Sequence, residues 1–163
     1  MAQTNAPFID RRTVLVTLAL AATAGPLAAA DTRPRVTIWK DPNCGCCGAW
    51  GEHLERAGFP IRMVDVADMD AVKSRLGVPG DLHSCHTAEV GKYVLEGHVP
   101  AGAVLRLLAE SPDIRGLSVP GMPIGSPGME VKGMAAEPYV VRAFKADGSS
   151  FDFMAFTGSS PAG

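Results

Sequence analysis

Apolar and polar residues alternate along Arg35-Val-Thr-Ile-Trp-Lys40, and the β-branched and aromatic content of that run predicts a strand. A Pro/Asn/Gly turn follows, after which Trp50, Leu54 and Ala57 recur at helical spacing until Gly58 stops the pattern. Ile61 to Val66 reads as a second strand, and Met69 to Leu76 as a short helix ended by Gly77 and Pro79. Lys92 to Val99 reads as a third strand. Ala101 to Glu110 is expected to be a helix that buries Val104, Leu105, Leu107 and Leu108, with Pro112 ending it. Gly116 to Gly133 is a Gly/Pro/Met-rich loop, longer than a simple connector needs. Tyr139 to Lys145 and Ser150 to Phe156, joined by Ala146-Asp-Gly-Ser, predict a C-terminal β-hairpin. The order strand, helix, strand, helix, strand, helix, loop and hairpin defines an α/β chain with one domain, expected over residues 31–157 and followed by a flexible tail, 158–163.

The first thirty residues change this picture. Arg11 and Arg12 precede an apolar run from Val14 that closes on Ala28-Ala29-Ala30, so residues 1–30 read as a cleaved export signal. The paired arginines suggest the twin-arginine route, although Asp10 before the pair and Thr13-Val14-Leu15 after it fit that pattern loosely. The competing reading is a membrane anchor, for which the run is at or below the usual length. No later stretch is apolar enough to span a bilayer, so the mature protein is expected to be soluble and periplasmic. With 15 Lys plus Arg against 17 Asp plus Glu, the chain carries nothing that attracts nucleic acid.

Export gives the four cysteines their context, since disulfides persist outside the cytoplasm. Cys44, Cys46 and Cys47 crowd a strand-to-helix junction, where unpaired N–H groups and the helix dipole favour thiolate. A strand followed by Cys-x-x-Cys at the start of a helix, within a βαβ unit, points to a thioredoxin-like fold. In such a fold the segment "HSCHT" enters a strand beside the cysteine loop, so Cys85 is expected to face the trio, with His83 and His86 close by. Clustered soft ligands select Cu(I) or zinc over hard cations. Met122, Met129 and Met134, in or just past the long loop, offer thioether, which Cu(I) accepts and zinc rarely uses; alternatively they cover an apolar patch. His53 reads as solvent-facing, and His98 as structural rather than ligating.

The segments "WKDPNCGCCGAW", "GVPGDLHSCHTAEVGKYVLEGHVPA" and "GLSVPGMPIGSPGME" resemble the CopG-type periplasmic copper proteins, a family long held as a domain of unknown function. The resemblance runs from Val36 to Phe156. It implies a thioredoxin-like domain whose cysteines bind copper, a link to copper resistance, and a redox role exchanging Cu(I) and Cu(II). Cys44, Cys46 or Cys47, and Cys85 match the family's cysteine motifs, and His86 follows the last of them. The expected metal ligands are therefore Cys44, Cys46, Cys47, Cys85 and His86, holding Cu(I) as a multinuclear cluster with bridging sulfurs. Other periplasmic copper-handling proteins are the expected partners. Two alternatives stay open: a thiol–disulfide oxidoreductase in which Cys44 attacks and Cys47 resolves, and a structural zinc site.

Overall fold

The computed structural model describes residues 33–162; the expected export signal, 1–30, lies outside them. Among the described residues no helix is long and apolar enough to cross a membrane.

Strand β1 (Val36–Lys40) points Val36 and Ile38 into the core, the two apolar positions its alternation marks. Helix α1 (Gly45–Arg56) buries Cys47, Trp50, Gly51 and Leu54, one stripe at helical spacing, and carries the chain across to strand β2 (Ile61–Asp65), parallel to β1. Helix α2 (Met69–Leu76) starts where Asp68 accepts a hydrogen bond from the Ala71 N–H and stops at Gly77, whose φ of 71° is left-handed. After a 3-10 turn at Gly80–Leu82, strand β3 (His86–Val90) runs antiparallel to β1, pairing Lys40 with His86 and Val36 with Val90.

The polar and apolar pattern predicts His86 to Val90 as the approach to a single third strand, Lys92 to Val99. Instead the chain turns at Gly91, φ 58°, and returns as strand β4 (Tyr93–Glu96), antiparallel to β3. Helix α3 (Ala101–Glu110) then buries Val104 and Leu107, while Leu105, expected on the same face, is 39% exposed. The long loop begins with a further short strand, β5 (Gly116–Ser118), parallel to β4. Strands β6 (Pro138–Phe144) and β7 (Ser150–Thr157) pair antiparallel across the Ala146–Ser149 turn. Part of the segment expected to be a flexible tail forms a two-residue strand, β8 (Ser160–Pro161), and the Ala162 N–H donates to the Ala155 carbonyl at 2.9 Å.

The result is one eight-stranded mixed sheet in the order β2-β1-β3-β4-β5-β6-β7-β8. Its apolar residues divide by strand alternation. Ile38 and Leu95 pack with Trp50, Leu54, Val104 and Leu107 of α1 and α3, whereas Trp39 and Val94 pack with Val72 and Leu76 of α2. Two helices thus cover one face and the third covers the other.

Candidate metal centre

Asp41 shapes the turn that leaves β1: its side chain accepts from the Asn43 N–H at 2.8 Å and its carbonyl from the Cys44 N–H at 3.0 Å. Cys44 becomes the N-cap of α1, and Cys46 and Cys47 fall in the helix's first turn, which contains no acidic residue. The β1–β3 register brings the start of β3, and with it Cys85, to the same end of the sheet. Cys85 Sγ lies 3.8 Å from Cys46 Sγ and 4.0 Å from Cys47 Sγ, and Cys44 Sγ lies 3.8 Å from Cys46 Sγ. All four sulfurs fall within 4.8 Å of one another, spacing that lets soft metal ions be shared among them.

Cys44 and Cys47 are joined as a disulfide, with their Cα atoms 5.7 Å apart, which leaves Cys46 and Cys85 as free thiols. Cys47 is fully buried, while Cys44 is half-buried.

A second donor set shares Cys85. Its sulfur lies 3.1 Å from His86 Nδ1 and 3.1 Å from His98 Nε2. His98 was expected to be structural, yet the β3–β4 hairpin carries it directly across from Cys85. Its Nδ1 bonds the Pro127 carbonyl at 2.8 Å; a carbonyl only accepts, so Nδ1 carries the proton and the neutral ring turns the Nε2 lone pair toward the sulfur. The signal for this was present in the sequence: reading Gly91-Lys92 as a hairpin turn sets a register that faces Cys85 with His98.

Electrostatics favour neutral imidazoles and a protonated thiol. Burial, reinforced by the other histidine and by Lys73, holds His86 well below its ordinary pKa. Burial also lowers His98, against the raising effect of the Pro127 carbonyl and Glu130. The Cys85 thiol is pushed up to about 12, first by burial and then by Cys46 beside it. A cation arriving there must displace that proton and in return supplies the charge that stabilises the thiolate. The His86 ring packs 4.3 Å from Trp50 and 5.1 Å from His98, and its buried Nε2 has no hydrogen-bond partner among the described residues.

The other candidates divide. His83 Nε2 sits 3.3 Å from the Val78 carbonyl, outside both donor sets. His53 is not solvent-facing: its Nε2 accepts the Ala101 N–H at 3.0 Å, satisfying an amide of the first turn of α3. Met122 and Met134 are 52% and 55% exposed and Met129 is half-buried. The loop that carries Met122 and Met129 is tied to itself, through Gly125 N–H to the Met129 carbonyl at 2.9 Å and Glu137 N–H to the Ile124 carbonyl at 2.8 Å. It also lies on α1: a Cβ on Gly128 would stand 2.8 Å from the Trp50 nitrogen and 3.1 Å from the Cys46 carbonyl oxygen.

An α/β sheet that gathers four cysteines and two buried histidines at one end defines a protein equipped to bind a soft metal ion. The family described as "Protein of unknown function, DUF411" matches residues 82–129, the stretch from before Cys85 through Pro127 to Met129. Two solved structures titled "Copper resistance protein copG", Form 2 and Form 1, are each 43% identical with a TM-score of 0.72. They cover 76% and 77% of this chain and 98% and 99% of their own. No curated protein matches the chain. The chain belongs to the CopG-type family.

Proposed function

We propose that the chain is an exported, periplasmic copper-binding protein of copper resistance, holding Cu(I) through Cys44, Cys46, Cys47 and Cys85. The observation that carries the proposal is the approach of Cys85 to Cys46 and Cys47, at 3.8 and 4.0 Å, from nearly forty residues away. The strand order β2-β1-β3-β4, with helices on both faces, supports reading this half of the sheet as thioredoxin-like. Metal loading begins from reduction: an external dithiol gives up two electrons and two protons and becomes a disulfide, while the Cys44–Cys47 bond breaks to two thiols. Each thiol then releases its proton as it binds Cu(I). Four thiolates exceed the low coordination one Cu(I) ion prefers, so bridging sulfurs within a multinuclear cluster use them all. If copper passes to Cu(II), the nitrogens His86 Nδ1 and His98 Nε2 suit the harder ion better, and both already touch Cys85.

Anaerobic competition between reduced protein and a Cu(I) chelator tests this reading. Parental protein should outcompete the variant with all four cysteines changed to serine by orders of magnitude, and equal binding refutes it. A second reading, thiol–disulfide oxidoreductase, gains support from the disulfide itself, which joins a half-exposed Cys44 to a buried Cys47. Insulin reduction that vanishes with Cys44→Ser but survives Cys85→Ser favours it. A closed four-cysteine zinc site requires the same reduction of the Cys44–Cys47 bond, so the two metals are told apart by metal analysis: a single zinc with no copper exchange favours the structural zinc reading.

A further inference from the structure

Among the described residues, Lys73 of α2 and Glu96 of β4 are a buried basic and a buried acidic side chain, at 4% and 0% exposure, and neither belongs to the donor sets. Glu96 Oε1 accepts from Lys73 Nζ at 2.5 Å and from the Ser84 backbone N–H at 2.5 Å; Oε2 accepts from the Thr87 hydroxyl at 2.7 Å. Lys73 Nζ also donates to Thr87 Oγ1 at 3.0 Å. Such a buried pair is a poor way to gain stability, because desolvating each ion costs several kcal/mol and apolar residues of similar size commonly do as well. What an apolar residue cannot do is hold the Ser84 N–H.

Ser84 immediately precedes Cys85, at a point where the chain has not yet entered the β3 ladder, whose pairing with β4 begins at Thr87. The Ser84 hydroxyl donates to the Gly121 carbonyl at 2.7 Å, and a Cβ on Gly97 would stand 2.5 Å from Ser84 Oγ. Glu96 therefore holds the backbone of the residue before Cys85, while Gly97, its neighbour, leaves the Ser84 side chain the space that a Cβ would take. His98 follows directly.

We infer that Glu96, braced by Lys73 and Thr87, is a positioning residue for the metal centre: its carboxylate anchors Ser84 so that Cys85 Sγ meets both the α1 cysteines and His98. The part of this inference that concerns metal rests on the copper-binding reading; the part that concerns the placement of Cys85 does not.

Two double variants isolate the role. K73M/E96Q and K73M/E96L both remove the ion pair, but only glutamine keeps an oxygen for the Ser84 N–H. In Cu(I) competition on the full reduced chain, K73M/E96Q should bind close to parental strength and K73M/E96L about 10- to 100-fold more weakly, the usual cost of losing a ligand-orienting partner. Equal affinities for the two overturn the inference. If K73M/E96L does not fold, Glu96→Asp replaces it, keeping the charge while withdrawing the oxygen from Ser84 by one methylene, and parental affinity there is equally fatal. A metal-free readout separates this inference from the copper reading. Iodoacetamide labelling of Cys85, located by mass spectrometry, should be several-fold faster in K73M/E96L (or in Glu96→Asp) than in K73M/E96Q, even if no form binds copper. Matching rates overturn the inference.

Discussion

Gly128→Ala tests whether the Gly/Pro/Met loop is fastened to the metal centre or merely lies near it. Gly128 has φ 86° and Gly133, in the same loop, has φ 84°, so alanine at either position pays a similar backbone cost of roughly 1–2 kcal/mol. Their surroundings differ. Nothing lies within 4 Å of a Cβ on Gly133, whereas one on Gly128 meets the Trp50 nitrogen at 2.8 Å and the Cys46 carbonyl oxygen at 3.1 Å. Both are backbone atoms of α1 and cannot swing aside, so the overlap adds about 1–3 kcal/mol. Gly133→Ala should therefore cost about 1–2 kcal/mol and Gly128→Ala about 2–5 kcal/mol, adding the strain and overlap ranges. Urea unfolding of the reduced, metal-free chain measures both, with an unchanged slope confirming that stability alone has moved. Because Pro127, whose carbonyl orients His98, adjoins Gly128, the same variant should shift the His98 ring signals in NMR. Equal costs for the two alanines, within about 0.5 kcal/mol, refute the argument, because surface substitutions scatter by that much anyway.

Three further outcomes follow from the same geometry. Trp50→Phe removes the Nε1–H donor that bonds the Val99 carbonyl at 2.9 Å and should cost about 2 kcal/mol in urea unfolding, mostly from the buried acceptor left unpaired. Folding holds the pKa values of His53, His86 and His98 below the ordinary 6.5, so at these three groups the unfolded chain binds more protons, against the single carboxyl of Glu96, whose pKa burial raises and which acts in the opposite sense. The metal-free protein should keep its full stability above about pH 6.5 and lose it as pH falls below that, and His53→Gln should flatten the slope; a urea midpoint constant from pH 7 to pH 5 contradicts this. His98→Gln should weaken Cu(II) binding about 10- to 100-fold while leaving Cu(I) binding largely intact, since nitrogen matters more to the cupric ion, and chelator competition in each oxidation state checks it.

Much of the site could be read in advance because its parts are local. Strand β1 alternates cleanly, and Cys47, Trp50 and Leu54 mark a helical stripe that places the cysteine trio at a helix start. The approach of Cys85 followed from that fold alone. What stayed hidden depends on pairing. Strand β3, His86-Thr-Ala-Glu-Val, is buried at four of its five positions and so shows no alternation, which merged it with its neighbour and concealed the register that brings in His98. Strand β5 has three residues and exists because β4 and β6 flank it. Glu96 and Lys73 look like surface charges in sequence, and only the fold shows the carboxylate enclosed beneath Ser84.

Copper bound per chain, measured on fully reduced protein and on protein whose Cys44–Cys47 bond is intact, probes the shared-thiolate site most directly. The reduced form offers four sulfur donors where the oxidised form offers two, so it should take up more Cu(I), with a copper-edge absorption spectrum dominated by sulfur. Identical uptake by the two forms, or a spectrum dominated by nitrogen and oxygen in the reduced one, contradicts the account.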